Sequence, residues 1–179
     1  MTRLVVVGAA LSAMLVLGGC GSGAESGGGD VTDSSALEGQ RERARAAAAV
    51  LVTGVVDALG GSASRTTGRV EGCESASEDE FRTFRYTATG RVDVGASASP
   101  PFLDALVPVL EAAGFADPIP GERPGGNTLE GSDGDLTATL SELPGQGAYV
   151  LLSVEGPCLE VPEADRRDWQ RRTDPEPFL

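Results

Sequence analysis

RTFRYTATGRVDV, residues Arg82 to Val94, alternates along its whole length. Phe84, Tyr86, Ala88, Val92 and Val94 fall on one side, and Arg85, Thr87, Thr89, Arg91 and Asp93 on the other. Successive side chains of a strand point to opposite faces, so this segment predicts an antiparallel-type strand with one buried and one wet face. A sheet with one apolar face needs a layer of helix against it, and the flanking sequence supplies that layer.

Upstream, Ser35 and Glu38 have the spacing of a capping box and start a helix. Leu37, Ala44, Ala48, Leu51, Val55, Ala58 and Leu59 then recur at three- and four-residue steps as one apolar stripe. Arg41, Glu42 and Arg45 sit off the stripe, with Glu42 and Arg45 close enough to pair. Gly60-Gly61 ends this helix, and Thr66 to Cys73 reads as a strand leading into the acidic loop Glu74, Glu78, Asp79, Glu80.

Downstream, Ser99-Pro100-Pro101 opens a second helix with Phe102, Leu103, Leu106, Val107, Leu110 and Ala113 as core candidates, bent at Pro108 and closed by Gly114. The Pro- and Gly-rich stretch from Asp117 to Gly126 reads as a loop. Strands are expected at Thr128–Glu130, Asp135–Leu143 and Ala148–Glu155, joined by turns at 131–134 and 144–147. The expected fold is therefore α+β, in the order α-β-β-α-β-β-β: an antiparallel sheet of about five strands with two helices on one face. Val55-Val56-Asp57-Ala58-Leu59-Gly60 and Val109-Leu110-Glu111-Ala112-Ala113-Gly114 match in type position by position, either as two αββ halves or as a chance likeness of Ala-rich helix ends. After residue 160 a tail holds a short helix from Pro162 to Arg171, and Trp169 is placed to fold back onto the domain.

Composition excludes much chemistry. The formal charge is −13, which argues against nucleic acid as a partner and against a polybasic grip on lipid. There is no His, and all 14 basic residues are Arg. That removes Ser-His-Asp and Cys-His catalysis, imidazole zinc ligands, Schiff-base lysines and the P-loop lysine. A glycosidase needs only two separated carboxylates, but nothing marks such a pair, and we expect no enzyme and no cofactor. Asp133-Gly134-Asp135, with Glu130 and Glu142, is what a hairpin turn wants and lacks the spacing of a calcium loop. Arg82, Arg85 and Arg91, with threonines between them, form the one candidate binding row: suited to a phosphate or carboxylate, or simply the solvated side of the sheet.

The amino-terminal segment sets the address. Arg3, an apolar run from Leu4 to Leu17 and two glycines precede Cys20. The run suits a secretory h-region better than a membrane span. Leu17-Gly18-Gly19-Cys20 resembles the lipobox of bacterial lipoproteins, with an ordinary cleaved signal as the other reading. The resemblance implies a signal peptide over 1–19, acyl chains on Cys20 as the membrane anchor, and an extracytoplasmic domain at the cell membrane. Residues 20–35 are a Gly/Ser tether reaching roughly 20 Å, and 36–160 the folded domain. With Cys20 set aside, Cys73 and Cys158 remain as one pair, read as a disulfide in an oxidising compartment.

A lipobox cysteine, a Gly/Ser tether and one cysteine pair bracketing a small α+β domain resemble the small cell-envelope lipoproteins of GC-rich Gram-positive bacteria, the LppA-like group. The resemblance implies a surface lipoprotein, an address without a mechanism. Two roles fit it. One is a non-catalytic module that binds an envelope protein or modulates an assembly, marked by an exposed apolar patch on the sheet or first helix. The other is a carrier or sensor holding a lipid or small molecule behind Phe84, Tyr86, Phe102 and Leu106.

Overall fold

A computed structural model describes residues 34–74, 81–95, 101–123, 126–142 and 148–179. The signal segment, Cys20, most of the tether, the acidic residues Glu78 to Glu80 and the expected turn at 144–147 lie outside the described residues. The elements are α1 (Ser34–Leu59), β1 (Gly61–Gly72), β2 (Thr83–Val94), α2 (Leu103–Ala112), β3 (Ala116–Arg123), β4 (Gly126–Asp133), β5 (Leu136–Glu142), β6 (Tyr149–Glu155), β7 (Leu159–Glu160), α3 (Glu163–Gln170) and β8 (Glu176–Pro177). The strands form one antiparallel sheet in the order β3-β4-β5-β6-β2-β1-β8, with β7 pairing β2 beyond the end of β6.

The α+β class and the antiparallel sheet agree with the sequence reading; the inventory does not. Among the described residues, eight strands replace about five, and α3 is the short helix expected in the tail, beside the two expected helices. The stretch from Asp117 to Gly126, read as a loop for its prolines and glycines, lies largely in β3, Ala116–Arg123. β3 lies at the sheet edge, where a strand pairs on one side only and tolerates Pro118 and Pro120. β7 and β8 are two residues each, too short for any local pattern to announce.

β2 is central, between β6 and β1, and β6 repeats its alternation of buried and open positions. Phe84, Tyr86, Ala88 and Val92 are buried under the helices with Ala138 and Leu140 of β5 and Val150, Leu152 and Val154 of β6. α1 lays Leu37, Ala44, Ala48, Leu51, Val52 and Val55 on that face, and Val52 sits directly over Gly90, where a Cβ would meet it at 3.0 Å. Ala58, expected in the stripe, is exposed, and Gln40 fills the step between Leu37 and Ala44. α2 buries Phe102, Leu103, Leu106 and Leu110 on the same side. The two helices approach closely at Gly54, where an added Cβ would lie 2.7 Å from Val109.

The carboxyl-terminal segment is part of this packing. α3 runs from Glu163, with Pro162 at its N-cap, and carries Trp169, only 3% exposed. Ser34, at the start of α1, donates to Asp165 (2.5 Å) and accepts from the Trp169 indole (3.4 Å), while Arg172 stacks on the Trp169 ring and pairs with Glu38. β8 then brings Glu176 against α1. Arg41 donates to both of its oxygens (2.6 and 2.5 Å), Arg45 lies 3.0 Å away, and the Tyr86 hydroxyl donates at 2.9 Å. Arg45 thus pairs across the fold and not with Glu42.

These contacts hold the Glu176 carboxyl down at about 2, chiefly through its hydrogen bonds with Arg41. Burial, with Glu176 as acceptor, pushes the Tyr86 phenol up to about 12. A carboxyl held below its unfolded value of 4.5 contributes stability that is full above that value and lost as pH falls toward 2. Thermal melts should therefore fall across that window, and Glu176→Gln should flatten that part of the fall while lowering the melting temperature at pH 7. An unchanged acid limb in the variant would show that Glu176 does not carry it.

Candidate functional site

Among the described residues, helices lie on one face of the sheet only. The other presents odd-numbered β2 residues alongside Thr137, Thr139 and Ser141 of β5 and Tyr149, Leu151, Ser153 and Glu155 of β6. Hydroxyls dominate this surface because each strand alternates apolar and polar residues in register with its neighbour. Near one end the surface opens into a groove of about 420 Å³, lined by Arg65, Arg91, Tyr149, Leu151 and the hydroxyl residues Thr89, Thr139, Ser141 and Ser153.

Two local features shape this groove. β1 slips register against β2 between Ser64 and Thr67, and Arg65 within the slip has φ +53. Such an irregularity re-aims a side chain that a regular strand would direct elsewhere. On β2, Arg91 donates through Nε (2.8 Å) and Nη2 (2.5 Å) to Asp93 Oδ1 and lies over the Tyr149 ring, 3.9 Å from its centroid. The Asp93 pairing raises the Arg91 guanidinium, and Arg91 in turn lowers the Asp93 carboxyl. The guanidinium is thereby held in place, with its Nη1 outside the pair.

The expected row of Arg82, Arg85 and Arg91 does not converge. Arg82 precedes β2, and its backbone N–H donates to Glu74 (2.9 Å). Arg85 is on the open face but sits between Glu71 (3.6 Å) and Glu155 (3.1 Å). Arg91 alone lines the groove, and its cationic companion is Arg65 from the neighbouring strand. Sequence spacing on β2 could not show this, because the two meet through β1–β2 pairing. The hydroxyl rows of β5 and β6 were legible as alternation, but their alignment with Arg91 depends on the register.

A second surface lies on the outer side of α1. Val50 is 55% exposed between two shallow grooves of about 500 and 440 Å³. Ala46, Ala47, Ala113 and Leu136 line one groove, and Ala49, Thr53 and Gly54 the other. Asp133 and Asp135 border the first, where Arg43 pairs with Asp135 (2.8 Å), and Asp57 borders the second. By contrast, Phe84, Tyr86, Phe102 and Leu106 are all buried in one cluster with Leu110, Phe115 and Trp169.

Cys73 and Cys158 are joined, with Cα atoms 6.2 Å apart. The bond ties the end of β1 to the segment between β6 and β7. No helix among the described residues is long and apolar enough to cross a membrane.

No family model matches the chain, and no curated protein matches it. Among solved structures the chain is similar to the "putative lipoprotein LppA" of Mycobacterium tuberculosis, at 12% identity and a TM-score of 0.43, over 70% of this chain and 78% of that one.

The remaining motifs have structural roles. Gly134-Asp135 is the two-residue turn between β4 and β5, with Gly134 at φ +59 in the first central position, which type II′ turns give to glycine. Burial pushes the Glu74 carboxyl up, but the N–H groups of Arg82 and Thr83 and the Thr83 hydroxyl outweigh it, leaving the group below its ordinary value. This first residue of the acidic run therefore caps the entry to β2.

Proposed function

We propose that this chain is a lipid-anchored lipoprotein on the extracytoplasmic face of the cell membrane, and that its domain is a non-catalytic module docking an envelope protein against the outer face of α1. The observation that supports this reading is Val50, exposed in the middle of an apolar, alanine-floored surface with a groove on either side. Such a surface fits an apolar side chain of a partner, and with Asp135 paired to Arg43 the bordering Asp57 and Asp133 favour a partner with basic residues around that anchor. Val50 lies roughly 24 Å along the helix from Ser34, the end nearest the tether. The address rests on Leu17-Gly18-Gly19-Cys20, and the disulfide accords with an oxidising compartment.

The test is in-cell cross-linking of the tagged full chain followed by mass spectrometry, with Cys20→Ser as the unanchored control and Val50→Asp as the surface control. One envelope protein should be recovered from the wild type and lost with either variant. Val50→Asp is an exposed substitution and should change stability by no more than about 0.5 kcal/mol. Undiminished recovery with Val50→Asp would remove α1 as the docking face, and undiminished recovery with Cys20→Ser would remove the anchor from the reading.

A further inference from the structure

We propose that the groove on the open sheet face is a second site, which binds a saccharide bearing a carboxylate, with Arg65 and Arg91 supplying the cations and hydroxyls of Thr139, Ser141, Ser153 and Tyr149 facing the sugar. Charge complementarity points to an anion. The chain carries a formal charge of −13, yet the residues lining this groove include two arginines and no carboxylate. The nearest acid, Asp93, is engaged with Arg91 and offsets one of the two charges. About one net positive charge remains, which matches a carboxylate better than a doubly charged phosphate.

The rest of the lining points to a polyol. Side-chain hydroxyls both donate and accept, as sugar hydroxyls do, and here they come from three adjacent strands in fixed register. Leu151, partly exposed in the same groove, offers an apolar patch for the C–H face of a sugar ring. The volume of about 420 Å³ is within the range of small-molecule sites. Arg91 is already held on Tyr149 by Asp93, so one of the cations needs no ordering when ligand arrives. The site is separate from the α1 surface, which lies on the helical side of the sheet, and its test does not depend on a protein partner.

The experiment is a ligand-observed NMR titration of the purified full-length chain with D-glucuronate, D-glucose and D-glucose 6-phosphate. Glucuronate should bind at least about tenfold more tightly than glucose, the loss expected when a charge-assisted hydrogen bond is removed. Arg65→Gln and Arg91→Gln should each weaken glucuronate about tenfold, with Arg65→Gln leaving the melting temperature unchanged because Arg65 is exposed. Ser153→Ala should weaken glucuronate and glucose alike. Equal binding of glucose, tighter binding of glucose 6-phosphate, no binding of any of the three, or full affinity in Arg65→Gln would each overturn the proposal.

Discussion

Cys158→Ser is expected to lower the melting temperature by about 10–15 °C, and reduction of the wild type should give the same melt. The two cysteines are 85 residues apart, so the bond closes a loop over most of the described fold. A loop of that length removes enough unfolded-chain entropy to stabilise the folded state by about 4–5 kcal/mol, as a ceiling. For a chain of this size each kcal/mol moves the melting temperature by about 2–4 °C. The bond joins the end of β1 to the interval where β6 has stopped and β7 has not begun. A melt that does not respond to reductant or to Cys158→Ser would show that the cross-link does not constrain the chain.

Gln40→Leu should cost about 3 kcal/mol, a large loss for a change that keeps side-chain volume and adds apolar surface. β6 pairs β2 as far as Glu155 opposite Thr87, and β7 resumes at Leu159 opposite Phe84. In the gap, the Gln40 carboxamide reaches down from α1. Its oxygen accepts from the Tyr86 N–H at 2.7 Å, and its nitrogen donates to the Pro157 carbonyl at 2.9 Å. Gln40 is fully buried, so a leucine there would leave the buried Tyr86 N–H unpaired, at about 1–3 kcal/mol, and would also remove the partly buried bond to the Pro157 carbonyl. Gly156 completes the arrangement, since a Cβ there would lie 2.3 Å from the Gln40 carboxamide. Gly156→Ala should therefore destabilise strongly beside Gln40 and much less in a Gln40→Ala background. Chemical denaturation of the four proteins in that cycle would measure the coupling, and strictly additive effects would contradict the contact.

Gln40 also marks the limit of what the chain reveals locally. In the helical pattern it is one polar residue at a position whose neighbours are apolar, with no sign that a strand gap awaits it. Arg65 is similar. It sits in a short stretch of Ser, Arg and Thr, and it enters the groove only because β1 slips against β2. Conversely, Arg82 and Arg85 belonged to the expected row by spacing, and contacts from Glu71 and Glu155 on other strands take Arg85 out of it.

The sequence by itself determined the alternation of β2, the apolar stripe of α1, the second helix, the central strands and the pairing of Cys73 with Cys158. Each depends on periodicity or count, which a chain carries without reference to its neighbours. It also carries the lipobox-like Leu17-Gly18-Gly19-Cys20, outside the described residues. Only the tertiary structure decided that Pro118 and Pro120 lie in a strand, because an edge position removes the penalty a central strand would impose. It alone decided that Glu176 ties the carboxyl terminus to Arg41 and Tyr86, and that Arg65 joins Arg91 beside a row of hydroxyls. Those outcomes depend on strand order and register, which are set by long-range pairing and not by any local run of residues.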